Sequence, residues 1–397
     1  MNKTAKAHGM DGGLVEPDWP PLTLGEVRAL LAGFPGYGEP MKILSVSPRP
    51  FSAASVVATK SGDVFIKRHF RKVRDRDGLL EEHRFMQHLR EQGAPVPRVL
   101  ADALGETAIE IGGWTFEVHD VPPGVDLYEE AISWTPFRST AHARSAGAAL
   151  ARLHLASQGY DAPQRKTQPL VAGFTIFAAE DPGAAMERYL AARSALTEDA
   201  DAREGCREAL ELLEPFHAEL RPLLPALKPL WTHNDLHASN LLWSDAGDDA
   251  RAVAVIDFGL ADRTNAVHDL AQAIERNIVE WLDLMEDSTH GEEVRMHIDH
   301  LEAMLDGYEL VRPLTIEEAA ALAPMTAICH AEFALTEADY FLSVLHSQEM
   351  AKVASIDYLV GHARWFRGAG GQRLLEAISR WAKKLGRHAV PLAGDED

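Results

Sequence analysis

Apolar and polar positions divide the chain into a stretch of strand signals followed by a longer stretch of helix signals. Over residues 41–121, short apolar runs alternate with turn residues, which is typical of an antiparallel sheet. The runs at 56–59 and 64–67 flank a polar turn at 60–63 and predict a hairpin. Beyond this stretch, apolar residues recur at helical spacing, so the pattern predicts a small sheet and then a mainly helical part.

The same pattern predicts individual elements. Thr23 is a candidate cap for a short helix over 22–33. Helices are also predicted at 81–89, 141–156 and 185–225, strands at 43–46, 95–100, 108–111 and 114–121, and a turn at 244–249 between two short strands. The part from residue 268 onward is predicted to be helical, with breaks expected at Pro313, Pro324 and 368–371.

Composition narrows the class of protein. The chain has 397 residues, enough for one large or two ordinary domains, and a formal net charge of −21. Such a charge disfavours a nucleic-acid-binding surface, since phosphate contacts need stripes of Lys and Arg. It is compatible with a cationic substrate but does not by itself identify one.

The cysteines and the terminal segments point to a reducing compartment. Cys206 and Cys329 are too few for a disulfide framework and lie outside any C-x-x-C pattern, so both are expected to be buried thiols. The segment 1–13 lacks the apolar core of a signal peptide, and no apolar run is expected to approach the length needed to span a membrane. We therefore expect a cytoplasmic protein with a loose lead-in over 1–21 and a disordered acidic tail at 394–397.

Two short motifs within residues 231–270 carry the candidate chemistry. Residues 233–240 have the form H-x-D-x-x-x-x-N, and residues 257–259 are D-F-G. Either motif alone is common. The two in this order, each preceded by an apolar run, match the catalytic and metal-binding loops of phosphoryl-transfer enzymes.

Phosphoryl transfer explains why these residue types would occur together. Hard cations such as Mg²⁺ take oxygen ligands, which the Asp257 carboxylate and the Asn240 amide can supply. Asp235 can accept the proton of an acceptor hydroxyl and aim its oxygen at phosphorus. In motifs of this class the histidine usually braces the loop, so His233 is assigned an orienting role within the catalytic motif.

A metal-hydrolase cluster is the alternative interpretation of this stretch. His233 and His237 are four residues apart and, with His268 and Asp235, could be zinc ligands. The surrounding pattern predicts loop and strand, where residues four apart do not share a helical face. Phosphoryl transfer is therefore preferred.

The stretch resembles the aminoglycoside phosphotransferase and choline kinase superfamily, small-molecule relatives of the protein kinases. Residues 269–271 are similar to the D-L-A that follows the metal loop there, and the A-P-E that closes the activation segment of protein kinases is missing after Asp257. The superfamily usually has H-G-D where residues 233–235 are H-N-D. The resemblance implies an α+β, bilobal protein-kinase-like fold, with ATP and Mg²⁺ between a small antiparallel β N-lobe and a large, mainly helical C-lobe.

The resemblance also implies a domain division and a lysine–glutamate pair. The divisions are a lead-in with a short helix at 1–40, a nucleotide-binding β lobe at 41–122, and a C-lobe at 123–397 that holds the catalytic loops and a helical acceptor region. Lys67 would contact the α- and β-phosphates of ATP. Glu82 on the following helix would hold that lysine, with Glu81 as the alternative acid.

Further nucleotide contacts are implied on either side of this pair. The loop containing Ser52 and Ser55 would cover the phosphates with its backbone amides, although it lacks the usual glycines. Main-chain groups of Glu117 and Val118, in a hinge over 117–121, would pair with adenine. Candidates for the acceptor pocket, each also compatible with a core or surface position, are Glu332, Asp339, Tyr340, His362, Trp365 and Phe366.

The predicted function is transfer of the γ-phosphoryl group of ATP to a hydroxyl group of a small molecule. The acceptor is an amino alcohol, a homoserine-like metabolite, a sugar or an aminoglycoside. Two alternatives stay open: a bacterial Ser/Thr protein kinase of the same superfamily, and a nucleotide-binding regulator without turnover. The missing A-P-E disfavours the first, and the complete set of catalytic residues disfavours the second. No nucleic-acid or membrane partner is expected.

Overall fold

The computed structural model describes residues 17–131, 133–166, 168–281 and 294–388. Most of the predicted loose lead-in and the whole acidic tail lie outside the described residues. The strands in these ranges are β1 (Pro40–Val46), β2 (Ala53–Thr59), β3 (Gly62–Phe70), β4 (Ile109–Ile111), β5 (Trp114–Asp120), β6 (Pro229–Thr232), β7 (Leu241–Trp243), β8 (Ala252–Val255) and β9 (Asp262–Asn265). The helices are α1 (Leu24–Leu31), α2 (Arg76–Glu91), α3 (Thr140–Ala156), α4 (Pro182–Ala191), α5 (Ser194–Glu198), α6 (Ala200–Leu220), α7 (Ala266–Ile278), α8 (Ile298–Val311), α9 (Ile316–Ile328), α10 (His330–Ser343), α11 (Gln348–Lys352), α12 (Gly361–Arg367) and α13 (Ala369–His388), with a π-helical segment (Val353–Val360) between α11 and α12.

The sheet predicted for the first part of the chain is present and antiparallel, with strand order β1-β2-β3-β5-β4. The predicted hairpin is β2–β3. The strand predicted at 95–100 is wrong, because this segment makes only a single bridge, from Val99 to His119. Pro95 and Pro97 lack the N–H groups that a ladder needs, so pairing is confined to the end of the segment.

Helix α1 is built into the core of the sheet lobe. Thr23 caps α1 as predicted, through a capping box in which its hydroxyl and the Glu26 carboxylate each accept a backbone N–H. Val27 and Leu30 of α1 share one hydrophobic cluster with sheet residues such as Ile66. The apolar face of α1 is therefore buried against the sheet, and this part of the predicted lead-in packs with the β lobe.

Two short hairpins in the helical lobe carry the candidate loops. β6 pairs with β9 and β7 pairs with β8, and the predicted turn at 244–249 joins β7 to β8. Residues 233–240 connect β6 to β7, and residues 257–259 lie between β8 and β9. The backbone N–H of Ile256 donates to the Asn240 carbonyl oxygen at 3.0 Å, so the two motifs lie side by side.

Helices α3 and α8 cross at two glycines. A Cβ atom added to Gly147 of α3, or to Gly307 of α8, would lie 2.0 Å from a backbone carbonyl oxygen of the other helix. Neither position has room for a side chain, so the two backbones are in direct contact. Close to this crossing, His154 of α3 meets Tyr308 of α8, with Nδ1 2.6 Å from the hydroxyl oxygen.

The breaks predicted for the C-terminal helices are only partly correct. The break at Pro313 is confirmed, but Pro324 lies inside α9, and the chain breaks at Cys329 instead. α9 packs against α6, α7 and α13, and this packing outweighs the backbone hydrogen bond that proline removes. Gly368 ends α12, but the expected glycine loop is a single residue because α13 begins at Ala369.

The expectation that no apolar stretch has the length and composition of a membrane span is wrong. Helices α9 and α10 together, over Ile316–Ser343, are long and apolar enough to cross a membrane, judged by length and composition alone. However, 94% of the apolar 18-residue segment within this stretch is buried inside the protein. A helix that is apolar on all sides is expected in the core of a large protein, and that is where this stretch lies.

The α+β, bilobal fold predicted from the sequence is confirmed. A small antiparallel β lobe with α1 and α2 precedes a larger, mainly helical lobe. The sheet ends at Asp120 and α3 begins at Thr140, so we propose that the lobes meet within this interval, close to the predicted boundary at 122. Cys206 and Cys329 are buried free thiols, as predicted.

Candidate active site

Five of the predicted site residues line one cleft between the two lobes. They are Ser52, Lys67, Asp235, Asn240 and Asp257. The described residues that line the cleft do not include four others that were predicted, namely Ser55, Glu82, Glu117 and Val118. His233 is buried and contacts the catalytic loop.

Asp235 is fixed through both carboxylate oxygens. Nη1 of Arg276, on α7, forms an ion pair with Oδ1 at 2.8 Å. The Asn240 amide donates to Oδ2 at 3.1 Å and to the Asp235 carbonyl oxygen at 2.9 Å. These donors hold the carboxylate at the cleft, and lone pairs remain for an acceptor hydroxyl.

The charge around Asp235 suits a general base. Burial raises the pKa of its carboxyl to about 6, against the lowering effect of the Arg276 guanidinium. At neutral pH the carboxylate is therefore mainly ionised, and it is a stronger proton acceptor than an ordinary aspartate.

His233 braces the catalytic loop from inside the protein. Its Nε2 donates to the Ile256 carbonyl oxygen at 3.0 Å, and its Nδ1 accepts the Asp235 backbone N–H at 3.2 Å. The ring also packs edge-on against Phe258, with centroids 4.7 Å apart. Both ring nitrogens are occupied by the protein, so these contacts fit the predicted orienting role.

Asn234 adopts the conformation that explains why a glycine is usual at this position. Its φ is +59°, in the left-handed region that favours glycine and tolerates asparagine. Its side-chain oxygen accepts from the hydroxyl groups of Thr232 and Thr264, and its amide donates to the Ala172 carbonyl oxygen. The H-N-D sequence therefore keeps the turn and adds side-chain contacts to it.

Asp269 ties this turn to the helical core. Its two carboxylate oxygens accept the backbone N–H groups of His233 and Asn234 at 2.9 and 2.8 Å. His154 Nε2 lies 2.9 Å from the same carboxylate, and the other ring nitrogen meets Tyr308. A chain of buried polar contacts thus runs from the α3–α8 crossing through His154 and Asp269 to the catalytic loop.

Substitution of Asn234 separates the backbone requirement from the side-chain contacts. Asn234→Gly and Asn234→Ala both lose the side-chain hydrogen bonds, but only alanine must hold a Cβ at positive φ. We expect Asn234→Ala to be less stable than Asn234→Gly by about 1 kcal/mol in the free energy of unfolding, measured by urea denaturation. An alanine variant equal to or more stable than the glycine variant would contradict this explanation.

Asp257 forms an ion pair with Lys67 across the cleft. Lys67 Nζ lies 2.8 Å from Asp257 Oδ1. Burial acts to raise the pKa of Asp257, but the Lys67 ammonium outweighs it and holds the pKa of that carboxyl well below its usual range. Burial likewise acts to lower the pKa of Lys67, and the carboxylates of Asp257 and Glu117 raise it above its ordinary value. Both groups are therefore charged at neutral pH.

The predicted pairing of Lys67 with Glu82 differs from the structure. The Glu82 carboxylate lies 3.6 Å from the guanidinium of Arg165, which comes from the segment between α3 and α4. Arg165 is itself fixed by donating to the Gly78 carbonyl oxygen. Glu82 therefore has a closer cation than the lysine, although its charge still helps to raise the pKa of Lys67. The ion-pair partner of Lys67 is Asp257.

Glu117 and Val118, which were predicted to lie in a hinge, lie within β5. The Val118 carbonyl oxygen accepts the Leu100 N–H at 2.7 Å, and its side chain belongs to the core of the sheet lobe. The Glu117 carboxylate is buried among three histidines. β5 continues to Asp120, so residues 117–120 of the predicted hinge belong to this strand. Alternating side chains alone do not reveal where a strand ends.

The loop predicted to cover phosphates presents an arginine to the cleft. Ser52 lines the cleft, whereas Ser55 is inside β2 with a buried hydroxyl that has no hydrogen-bond partner. Arg49, three residues before Ser52, also lines the cleft and donates to the Ala131 carbonyl oxygen at 3.0 Å. A guanidinium group is thus available where kinases use glycine amides, and the sequence analysis did not identify it.

Arg276 is the most informative residue of the site that was not predicted from the sequence. Its side chain is 2% exposed and lines the cleft, and its Nη2 has no hydrogen-bond partner. The guanidinium also lies over the ring of Phe333, 4.3 Å from the centroid. A signal was available, since Arg276 follows Asp269 by two helical turns and shares its face of α7.

The remaining unpredicted lining residues come from several elements. Phe333 and Glu337 of α10 line the cleft, whereas none of the six acceptor-pocket candidates does. Glu332, for example, accepts the backbone N–H of Ile176 instead.

His237 lies 3.8 Å from Asp235, and burial holds its pKa well below the ordinary value, so its imidazole is neutral.

The donor set at the cleft suits a hard divalent cation. The Asn240 amide nitrogen donates both of its hydrogen bonds to Asp235, so the amide oxygen remains as a ligand atom for a metal. The Asp257 carboxylate is ionised and 34% exposed. Together these residues offer the oxygen ligands that Mg²⁺ prefers, beside a lysine and a carboxylate of raised pKa.

Comparisons with known proteins agree with this geometry. A family model described as the phosphotransferase enzyme family matches residues 50–314. A curated homoserine kinase from Gluconacetobacter diazotrophicus is 26% identical over 323 residues, which cover 77% of this chain and 83% of that protein.

Solved structures of kinases share the fold. A microcompartment-associated aminopropanol kinase superposes with a TM-score of 0.53 at 18% identity, covering 89% of this chain and 99% of that one. An amicoumacin kinase in complex with AMP-PNP and Ca²⁺ gives a TM-score of 0.51 at 14% identity, covering 92% and 96%. At these identities the likeness is one of fold, and it agrees with the bilobal architecture.

Proposed function

We propose that this chain, which belongs to the phosphotransferase enzyme family, transfers the γ-phosphoryl group of ATP to a hydroxyl group of a small molecule. The observation that carries the proposal is one cleft in which Asp235, a base of raised pKa, lies near the Lys67–Asp257 ion pair. The kinase relatives support a nucleotide as phosphoryl donor, since one of them is complexed with AMP-PNP. The expected compartment is the cytoplasm.

On the donor side, the chain supplies positive charge and metal ligands. Lys67 binds the phosphates, and the backbone around Ser52 with the Arg49 guanidinium covers them from the loop. Asp257 and Asn240 would hold Mg²⁺, which would neutralise negative charge on the phosphates of the nucleotide. Lys67 pairs with Asp257 at 2.8 Å and is therefore beside the metal ligand.

On the acceptor side, Asp235 orients the hydroxyl group and takes its proton. The hydroxyl oxygen forms a bond to the γ-phosphorus while the bond from that phosphorus to the β–γ bridging oxygen breaks. ADP leaves with the electron pair of the broken bond, and the proton passes to the Asp235 carboxylate. Arg276 and Asn240 keep that carboxylate in place throughout.

Arg276 narrows the class of acceptor to hydroxyl compounds that also carry an anionic group. Its Nη2 is buried without a hydrogen-bond partner while Nη1 holds Asp235, so one donor of the guanidinium group is unsatisfied. A buried donor left unsatisfied is costly, and a ligand carboxylate would satisfy it with a charge-assisted hydrogen bond. The homoserine kinase relative supports an amino-acid alcohol of this kind.

A substrate panel tests the proposed reaction. Purified protein with ATP and Mg²⁺ is offered homoserine, 3-amino-1-propanol, choline, glucose, kanamycin and a Ser/Thr protein substrate, and ADP release and product mass are measured. We expect turnover with a small molecule and none in Asp235→Asn. Phosphoryl transfer to the protein substrate alone would favour the protein-kinase alternative, and an absence of turnover with every compound would contradict the proposal.

The role of Arg276 is tested by changing the acceptor molecule and, separately, by replacing the residue. 3-Amino-1-propanol has the amine and hydroxyl of homoserine but lacks its carboxylate. We expect kcat/KM to favour homoserine by about 10–150-fold, the value of one charged hydrogen bond. Arg276→Gln should lower kcat/KM for both compounds and bring their ratio close to one. An unchanged ratio in that variant would show that the carboxylate is bound elsewhere.

A further inference from the structure

Three histidines surround one buried carboxylate in the sheet lobe. Nε2 of His69 lies 2.9 Å from Glu117 Oε1, and Nε2 of both His83 and His119 lies 2.8 Å from Oε2. All four side chains are less than a tenth exposed. They come from β3, α2 and β5, so the cluster joins three elements of the sheet lobe.

The ligand atoms have the chemistry and spacing of a zinc site. The candidate atoms of His83, Glu117 and His119 all lie within 4.8 Å of one another, whereas His69 contacts the other oxygen of the same carboxylate. A tetrahedral Zn²⁺ with bonds of about 2.0–2.2 Å separates its ligands by roughly 3.4 Å, and the nitrogens of His83 and His119 lie 2.8 Å from Glu117 Oε2, so about half an ångström of outward movement from that oxygen would make room for the ion. Imidazole and carboxylate together are a common zinc donor set.

Two neighbouring features favour a metal site over a purely hydrogen-bonded cluster. Nδ1 of His83 lies 2.9 Å from the Thr107 hydroxyl, so the ring can donate there and present an unprotonated Nε2 to a metal. His69 also lines the cleft, which gives an ion a route to the otherwise buried cluster.

We propose that His83, Glu117 and His119 form a zinc site, with His69 holding the second oxygen of Glu117. The metal would stabilise the sheet lobe, because it would cross-link the elements that carry its ligands. It would join α2 to β5 at Glu117, which pairs in register with Lys67 of β3. Nothing in this proposal depends on the phosphoryl-transfer reaction.

Metal content and stability test the site in the full chain. After tag removal and dialysis against excess Zn²⁺ and then buffer, we expect about one tightly bound zinc per chain. Co²⁺ substituted for zinc should give the intense visible bands of a tetrahedral complex. A strong chelator should lower the melting temperature of the wild-type protein, because a metal bound only to the folded state stabilises it.

A second histidine cluster supplies the matched control. His297, Asp299 and His300 are the other described group with metal-ligand spacing, and that group is more exposed. His83→Gln should weaken zinc binding by more than about 100-fold and abolish the chelator effect, whereas His297→Gln should change neither. Circular dichroism confirms that both variants are folded.

Several outcomes would overturn the zinc proposal. They are a wild-type melting temperature that chelator does not change, zinc retained equally by His83→Gln, or zinc lost in His297→Gln. Asp257→Asn should keep the zinc and its effect on stability while losing transfer activity. Failure of the zinc proposal is therefore distinguishable from failure of the proposed reaction.

Discussion

Replacing Asp235 with asparagine is expected to lower turnover by about 10²–10⁴-fold while leaving Mg²⁺–ATP binding nearly intact. Asparagine keeps the size of the side chain and one oxygen but cannot take the proton of the acceptor hydroxyl. Asp235 contacts Arg276 and Asn240, and it has no ion pair with Lys67, whose partner is Asp257. The donor half of the cleft should therefore survive. Turnover is measured by ADP release and nucleotide affinity by calorimetry.

The pH dependence of the wild-type enzyme checks the same role independently. Because the base must be ionised, and because burial raises the pKa of Asp235 to about 6, kcat/KM should fall about tenfold per pH unit below that value. Above it the profile should be flat until another group titrates. A variant that loses nucleotide affinity together with turnover, or a profile that stays flat to pH 5, would assign Asp235 a different role.

Replacing Asp257 with asparagine is expected to remove the dependence of nucleotide affinity on Mg²⁺. The carboxylate is the charged ligand offered to the metal, and its loss should weaken binding of Mg²⁺–ATP by about 10²–10³-fold. Asparagine is preferred to alanine because Asp257 has a φ of +60°, a conformation that asparagine tolerates. Affinity is measured by calorimetry with and without Mg²⁺.

A matched control distinguishes loss of the metal ligand from loss of negative charge in general. Asp245 is an exposed aspartate in the turn between β7 and β8, and Asp245→Asn removes the same charge from the same lobe. That variant should bind Mg²⁺–ATP as the wild type does. Mg²⁺-dependent affinity that persists in Asp257→Asn would refute the assignment of this residue as the metal ligand.

Local sequence signals predicted most of the fold because they have local physical causes. The Thr23 capping box, the β2–β3 hairpin and the short β7–β8 pair all depend on residues close in sequence. The failures have different causes. Pro95 and Pro97 remove donors from a segment whose apolar pattern resembled a strand, and Pro324 is tolerated because neighbouring helices hold α9.

The candidate site was predictable where a motif fixes spacing, and not where distant segments meet. Asp235, Asn240 and Asp257 lie in two short motifs and meet at the cleft. The choice of Glu82 as partner of Lys67 could not anticipate Arg165, which reaches α2 from far along the chain. Arg49 is a single arginine in a glycine-poor loop, and no sequence pattern indicates that it lies at the cleft.

The contact of α3 with α8 through Gly147 and Gly307 sets a limit on redesign of this protein. Any side chain at either glycine would separate the helices that carry His154 and Tyr308. Those two residues support the carboxylate that holds the turn of the catalytic loop, so the disturbance would reach the base through the helical core. Mutant libraries that seek new acceptors can vary the residues of α10 at the cleft, but they should keep both glycines constant.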